Sequence, residues 1–130
     1  GQKKDKGLPL ESDRSFRVDR TEGSWISLDV SPDGATIAFD YLGDLFTMPA
    51  GGGDAKQITS GMAFDAQPRF SPDGSQLVFT SDRDGGQNIW VMTLADSTFQ
   101  QISKGSANRA ESPEWMPDGD YIVASMGNFR

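Results

Sequence analysis

Apolar residues come in short runs along this chain, each bounded by Gly, Pro, Asp or Ser, and no stretch keeps a helical period. The runs are rich in β-branched and aromatic residues, which fit a pleated, half-buried surface. They fall into a recurring order. A first strand is expected at Ile26 to Val30, again at Gln67 to Phe70, and again at Ser112 to Trp115. A second follows at Thr36-Ile37-Ala38-Phe39, Gln76-Leu77-Val78-Phe79 and Tyr121-Ile122-Val123-Ala124. A third is expected at Asp44-Leu45-Phe46-Thr47-Met48 and Asn88-Ile89-Trp90-Val91-Met92, and a fourth at Lys56-Gln57-Ile58-Thr59 and Gln100-Gln101-Ile102-Ser103.

Between first and second strands stands one turn signal. Ser31-Pro32-Asp33-Gly34 returns 40 residues later as Ser71-Pro72-Asp73-Gly74, and 45 residues after that as Met116-Pro117-Asp118-Gly119. Pro pre-sets the dihedral of such a turn, and Gly takes the place that needs a positive φ. Four-stranded units repeating at about 40 residues are the signature of β-propeller blades. The expected fold is all-β: four-stranded antiparallel blades in an incomplete ring of about two and a half.

The expected organisation is an extended or disordered lead-in at 1–13, a candidate closure strand at 14–21, blade 1 at 22–61, blade 2 at 62–105, and the first half of blade 3 at 106–130. The closure strand rests on spacing: Val18 lies 13 residues before Ser31, as Ile58 lies 13 before Ser71. A closed propeller needs roughly 4–8 blades. The chain is therefore expected to be a fragment of a larger protein or to assemble through open blade edges.

The 130 residues carry a net charge of −7, which argues against nucleic acid as a partner. With no Cys there is neither a disulfide framework nor a thiolate metal site. With no His, Ser-His-Asp chemistry, His-ligated metal and the usual general base near neutral pH are all missing. No apolar run approaches the length of a membrane span, so membrane insertion is not expected. The start, Gly1-Gln2-Lys3-Lys4, is not followed by the apolar run of a secretory signal.

The repeated Ser-Pro-Asp-Gly, the Ser81-Asp82-Arg83 loop with Gly85-Gly86, and the strand Asn88-Ile89-Trp90-Val91-Met92 resemble the TolB-type propeller repeat, a relative of WD repeats. That repeat occurs in the Tol-Pal translocation protein and in the propellers of prolyl-oligopeptidase-type enzymes. A longer run is similar to the N-terminal propeller of exported bacterial proteins that end in a metal-dependent amidohydrolase barrel. It covers Thr21 to Gly34, Phe39 to Leu45 and Gly61 to Phe70. The resemblance implies a non-catalytic scaffold recognising a protein, a peptide or the rest of its own parent chain, in the periplasm or secreted. The alternative it leaves is a stand-alone periplasmic interaction module of the Tol-Pal type. No catalytic residue, metal ligand or cofactor is expected within these residues; a parent protein could still be an amidohydrolase.

Asp33, Asp73 and Asp118 recur like a ring of carboxylates but read as turn formers. Asp82-Arg83-Asp84-Gly85 hints at a calcium loop, yet Thr80 and Val91 stand where an EF-hand needs acids. Trp90 and Trp115 replace the apolar Phe46, Val30 and Phe70 at equivalent places, which suits packing between blades; Trp25 has no equivalent. Asp29, Arg69 and Glu114 align with one another beside the turn. Asp65, Arg69, Asp82 and Arg83 are the candidate binding residues, as surface or channel contacts; an ion pair is the competing reading for each.

Overall fold

The computed structural model describes residues 26–128, and within them every regular element is a strand. β1 (Leu28–Val30), β2 (Thr36–Tyr41), β3 (Asp44–Pro49) and β4 (Lys56–Gln57) form one antiparallel sheet in chain order. β5 (Asp65–Phe70), β6 (Gln76–Ser81), β7 (Asn88–Thr93) and β8 (Thr98–Gln101) form the second. β9 (Asn108–Trp115) and β10 (Ile122–Asn128) pair as the third. The expected closure strand at 14–21 and Trp25 lie outside the described residues.

Alternation decides what each sheet buries. Ala38 on β2 and Leu45 on β3 point one way, and Phe70, Leu77, Phe79 and Met92 of the second sheet meet them. Val78, Ile89 and Val91 point the other way and meet Ala110, Trp115 and Ile122 of the third. Neighbours in sequence along β6 thus serve opposite interfaces, as a period of two requires. The third sheet's own far side leaves Val123 about half exposed, where Val78 in the sheet before it is fully buried.

Two strands begin earlier than their apolar runs suggest. β5 starts at Asp65 and β9 at Asn108 because each carries a bulge. On β5 the register passes from Ala66↔Thr80 to Arg69↔Val78; on β9 it passes from Glu111↔Ser125 to Glu114↔Val123. Gln67 and Ser112 hold the extra residue at φ 59° and 55°, each followed by a buried Pro (Pro68, Pro113). Both sit on the first strand of their sheet, where a proline costs no ladder bond on its outer side.

The fourth strands end early for a shared reason. Thr59 Oγ1 accepts from Leu45 N at 2.9 Å, and Ser103 Oγ accepts from Ile89 N at 2.9 Å. A hydroxyl thus takes the place of a backbone acceptor as the chain leaves the ladder.

The β2–β3 hairpin turns on Leu42 and Gly43, both at positive φ (53° and 84°), which is the pattern of a two-residue type I′ turn. Gly43 is required twice over, since a Cβ there would lie 2.8 Å from the Phe64 ring. Leu42 is an exposed branched side chain in a left-handed conformation that Asn tolerates better. Leu42→Asn is expected to raise stability by about 1 kcal/mol. A urea titration checks this, and a lower midpoint would contradict it.

Candidate interaction surface

The antiparallel course sorts the connections to two ends. The Pro-Asp-Gly turns, with the β3–β4 and β7–β8 links, lie at one end. The β2–β3 hairpin, residues 82–87, and the connections 58–64 and 102–107 lie at the other, here called the loop end.

At the turn end the recurrent Asp residues organise backbone. Asp33 Oδ1 accepts from Ser31 Oγ (2.6 Å) and Ala35 N (2.9 Å). Asp73 Oδ1 accepts from Ser71 Oγ (2.8 Å), Ser75 N (2.9 Å) and Ser75 Oγ (2.7 Å). Asp118 Oδ1 accepts from Asp120 N at 3.0 Å. The Ser31 and Ser71 hydroxyls in turn accept from Thr36 N and Gln76 N, both at 3.0 Å.

These bonds favour the ionised carboxyl. The Ser75 amide and hydroxyl, then the Ser71 hydroxyl, bring Asp73 down to about 2, and the Ser31 hydroxyl with the Ala35 amide lowers Asp33. Between pH 2 and 4 the unfolded chain therefore binds more protons at Asp73 than the folded one. Stability from this group is complete above the unfolded carboxyl range and is lost as pH falls through about 2. The Ser71→Ala/Ser75→Ala double variant is expected to flatten the acid limb of a stability–pH curve over that window. An unchanged slope would show that these bonds do not set it. Asp40 acts with the opposite sign: burial raises its carboxyl, although Gln67 N donates to it at 2.9 Å.

The four candidate binding residues all engage the chain itself. Arg83 Nη2 lies 2.8 Å from both carboxylate oxygens of Asp65, which is 0% exposed. Its Nε donates to Ser81 Oγ at 2.9 Å, and its guanidinium lies over the rings of Phe99 (4.5 Å), Trp90 (5.5 Å) and Phe79 (5.8 Å). Asp82 accepts from Phe64 N at 2.7 Å, tying the 58–64 connection to the β6–β7 loop. Arg69 spans three sheets: Nη1 donates to Ser27 Oγ (3.1 Å) and Pro68 O (2.8 Å), while Nε faces Glu114 at 3.5 Å. Aligned Asp29 accepts from Phe70 N at 2.8 Å, so all three of these positions reach across to a neighbouring sheet. The structure brings Asp65, Asp82 and Arg83 together at the loop end and leaves Arg69 apart, on the turn side of the β5 bulge. Trp115 donates from Nε1 to Arg69 O at 3.1 Å, and Trp90 packs with Leu45, Phe79 and Met92.

A polar cluster between the second and third sheets was not foreseen. Asn88, fully buried, donates to Asp84 Oδ1 (3.3 Å) and Gly105 O (3.0 Å), and accepts from Ser103 Oγ (2.8 Å) and Asn108 Nδ2 (2.9 Å). Gln101 Nε2 donates to Ser103 O at 3.0 Å and also to Asp84. In the first sheet Gln57 Nε2 does the same to Thr59 O (2.9 Å) and Asp44 Oδ2 (3.2 Å). The signal was in the repeat: Gln57-Ile58-Thr59 and Gln101-Ile102-Ser103 keep both polar residues.

A cleft of about 390 Å³ opens at the loop end, lined by Phe64, Ala66, Gln67, Thr80, Asp82, Gln87, Arg109 and Glu111. Phe64 is 59% exposed beside it. Arg109 and Glu111 form an exposed pair at 3.2 Å on its far wall. Among the described residues no group of three or more acidic, His or Cys side chains could hold a metal ion.

Stacked meander sheets joined at their first strands define a β-propeller arc. Residues 8–129 match the family model described as the TolB beta propeller domain, and the chain belongs to that family. It is 30% identical over 122 residues to the Tol-Pal system protein TolB of Wolinella succinogenes, covering 89% of this chain and 28% of that one. It is 28% identical over 94 residues to the tricorn protease homolog 1 of Streptomyces coelicolor, covering 72% of this chain and 9% of that protein. The solved structure of a putative TolB from Agrobacterium tumefaciens superposes with a TM-score of 0.71 at 28% identity, over 81% of this chain and 39% of that one. The chain thus spans a third or less of the length of these curated relatives.

Proposed function

We propose that this chain is a recognition scaffold for a protein or peptide, and that its contact surface is the loop-end cleft between the second and third sheets. The observation that carries this reading is the contrast within the cleft. Asp82 and Gln67 are fixed by internal bonds, while Phe64 and the Arg109–Glu111 pair line the same cleft with apolar and charged surface exposed. Rigid walls with an aromatic at the rim suit recognition better than chemistry. Asp65 and Arg83 support the walls, and Arg69 joins the sheets on the channel side.

The parent is read as a larger exported protein, periplasmic or secreted, with an amidohydrolase barrel supplying the catalysis; the run from Thr21 to Gly34 supports this. The likeness to Tol-Pal system proteins over most of the chain favours the second reading, an interaction module without an enzyme. A reading frame that continues into His-x-His-type metal motifs decides for the first, and a stop soon after Arg130 for the second. Self-association through the β10 edge, a seven-residue strand without a charged side chain, is part of either reading.

Peptides selected by display against the purified chain test the surface. Phe64→Ser combined with Glu111→Lys is expected to weaken the selected peptides at least about ten-fold, as loss of a rim anchor and a reversed charge should. Unchanged affinity with the fold intact removes the cleft as the contact surface.

A further inference from the structure

Four Asp-Gly pairs occur in the chain: Asp33-Gly34, Asp73-Gly74, Asp84-Gly85 and Asp118-Gly119. We propose that Asp118 is a site of spontaneous aspartyl isomerisation, which converts the third Pro-Asp-Gly turn while the fold protects the other three pairs.

The step is intramolecular. The Gly119 backbone nitrogen attacks Cγ of Asp118, its proton and the carboxyl OH leave as water, and a five-membered succinimide closes. Water then adds to one of the two ring carbonyls. Addition at the side-chain carbonyl restores Asp; addition at the backbone carbonyl leaves the chain running through Cβ and Cγ as isoaspartate. One water leaves and one returns, and no other reactant is needed. Glycine makes the attack easy because no Cβ shields its nitrogen.

The four pairs differ in how the carboxyl is held. Ring closure requires it to rotate toward the next nitrogen and to lose an oxygen as water. At Asp33 two bonds oppose rotation and at Asp73 three do, including the serine hydroxyls described above. Asp84 is held by Asn88 and Gln101. At Asp118 the Asp120 amide donates at 3.0 Å and no serine hydroxyl joins it, because Met116 stands where the other turns have Ser31 and Ser71. The attacking nitrogen is equally engaged in all three turns, Gly34, Gly74 and Gly119 each donating three residues back at 2.8–2.9 Å, so the carboxyl grip makes the difference. All four carboxyls are exposed, so solvent access does not separate them.

The product lengthens the β9–β10 hairpin by one backbone atom. That hairpin is closed by Met116 N donating to Tyr121 O at 2.8 Å, next to the Trp115↔Ile122 pair. The change therefore loosens the third sheet at its turn end.

The test is ageing of the whole chain at pH 7.4 and 37 °C, with isoaspartate located by mass spectrometry of peptides. Isoaspartate is expected at Asp118 roughly five- to ten-fold sooner than at Asp33 or Asp73, because fewer hydrogen bonds must break before its carboxyl can turn toward the next nitrogen. Met116→Ser is expected to slow Asp118 several-fold, and Ser71→Ala to speed Asp73. In strong urea the Asp33, Asp73 and Asp118 rates are expected to converge. Equal rates in the folded chain overturn the proposal, and so does an Asp118 lead that persists unchanged in urea.

Discussion

Arg83→Met is expected to lower the folding free energy by about 3–5 kcal/mol, the range for breaking one side of a buried ion pair. Asp65 is fully enclosed, and both of its oxygens rest on Arg83 Nη2. Methionine keeps the aliphatic bulk against Phe79, Trp90 and Phe99 but leaves the carboxylate without its cation. The loss is a large part of the 5–15 kcal/mol that holds a typical domain. Pairing the change with Asp65→Leu removes the stranded charge and is expected to return much of the stability. Urea titrations of the three variants measure it. A loss below about 1 kcal/mol in the single variant would mean that solvent reaches Asp65 and the pair behaves as a surface one.

Gly86→Ala carries the second large effect, about 3 kcal/mol, from overpacking against backbone. A Cβ at Gly86 would stand 2.0 Å from Gly105 O and 3.1 Å from Asn88 Nδ2. The Gly105 carbonyl cannot simply withdraw, because it accepts from Asn88 Nδ2 at 3.0 Å and from Asn108 N at 3.3 Å. Beside it, Gln87 N donates to Asn108 O (3.0 Å) and Gln87 O accepts from Ala110 N (2.8 Å), stitching the β6–β7 loop to β9. Pushing Gly105 away therefore strains the Asn88 cluster and this parallel bridge together. Gly51→Ala, with nothing within 4 Å of its Cβ, is the matched control and is expected to change stability little. Equal melting temperatures for the two variants would refute the close approach.

The repeat made most of the fold readable. Pro-Asp-Gly placed each hairpin, and the runs around Ile37, Leu77 and Ile122 placed the second strands. The starts of β5 and β9 were not readable in this way, because a bulge adds a residue that breaks alternation. Pro68 and Pro113 were its only trace. The site was less legible. At Asp29, Arg69 and Glu114 the sequence leaves surface contact and ion pair both open, and in the fold each reaches across to another sheet. A sequence records that two charges exist and not that sheet stacking brings them together. Asn88 escaped notice because a buried amide is defined by partners from three separate segments, residues 84, 103–105 and 108.

The two seams between sheets are filled by different sets: Ala38, Leu45, Phe70, Leu77, Phe79 and Met92 in the first, Val78, Ile89, Val91 and Ala110 with Trp115 and Ile122 in the second. In an array whose units touch only their neighbours, cooperativity is set seam by seam. The third sheet brings two strands to the second seam where the first sheet brings four to the first, and its Val123 stays about half exposed, so the second seam is the weaker coupling. Amides of β9 and β10 should then exchange with solvent by an opening that leaves β6 and β7 protected, so that the arc unravels from one side before it melts as a whole.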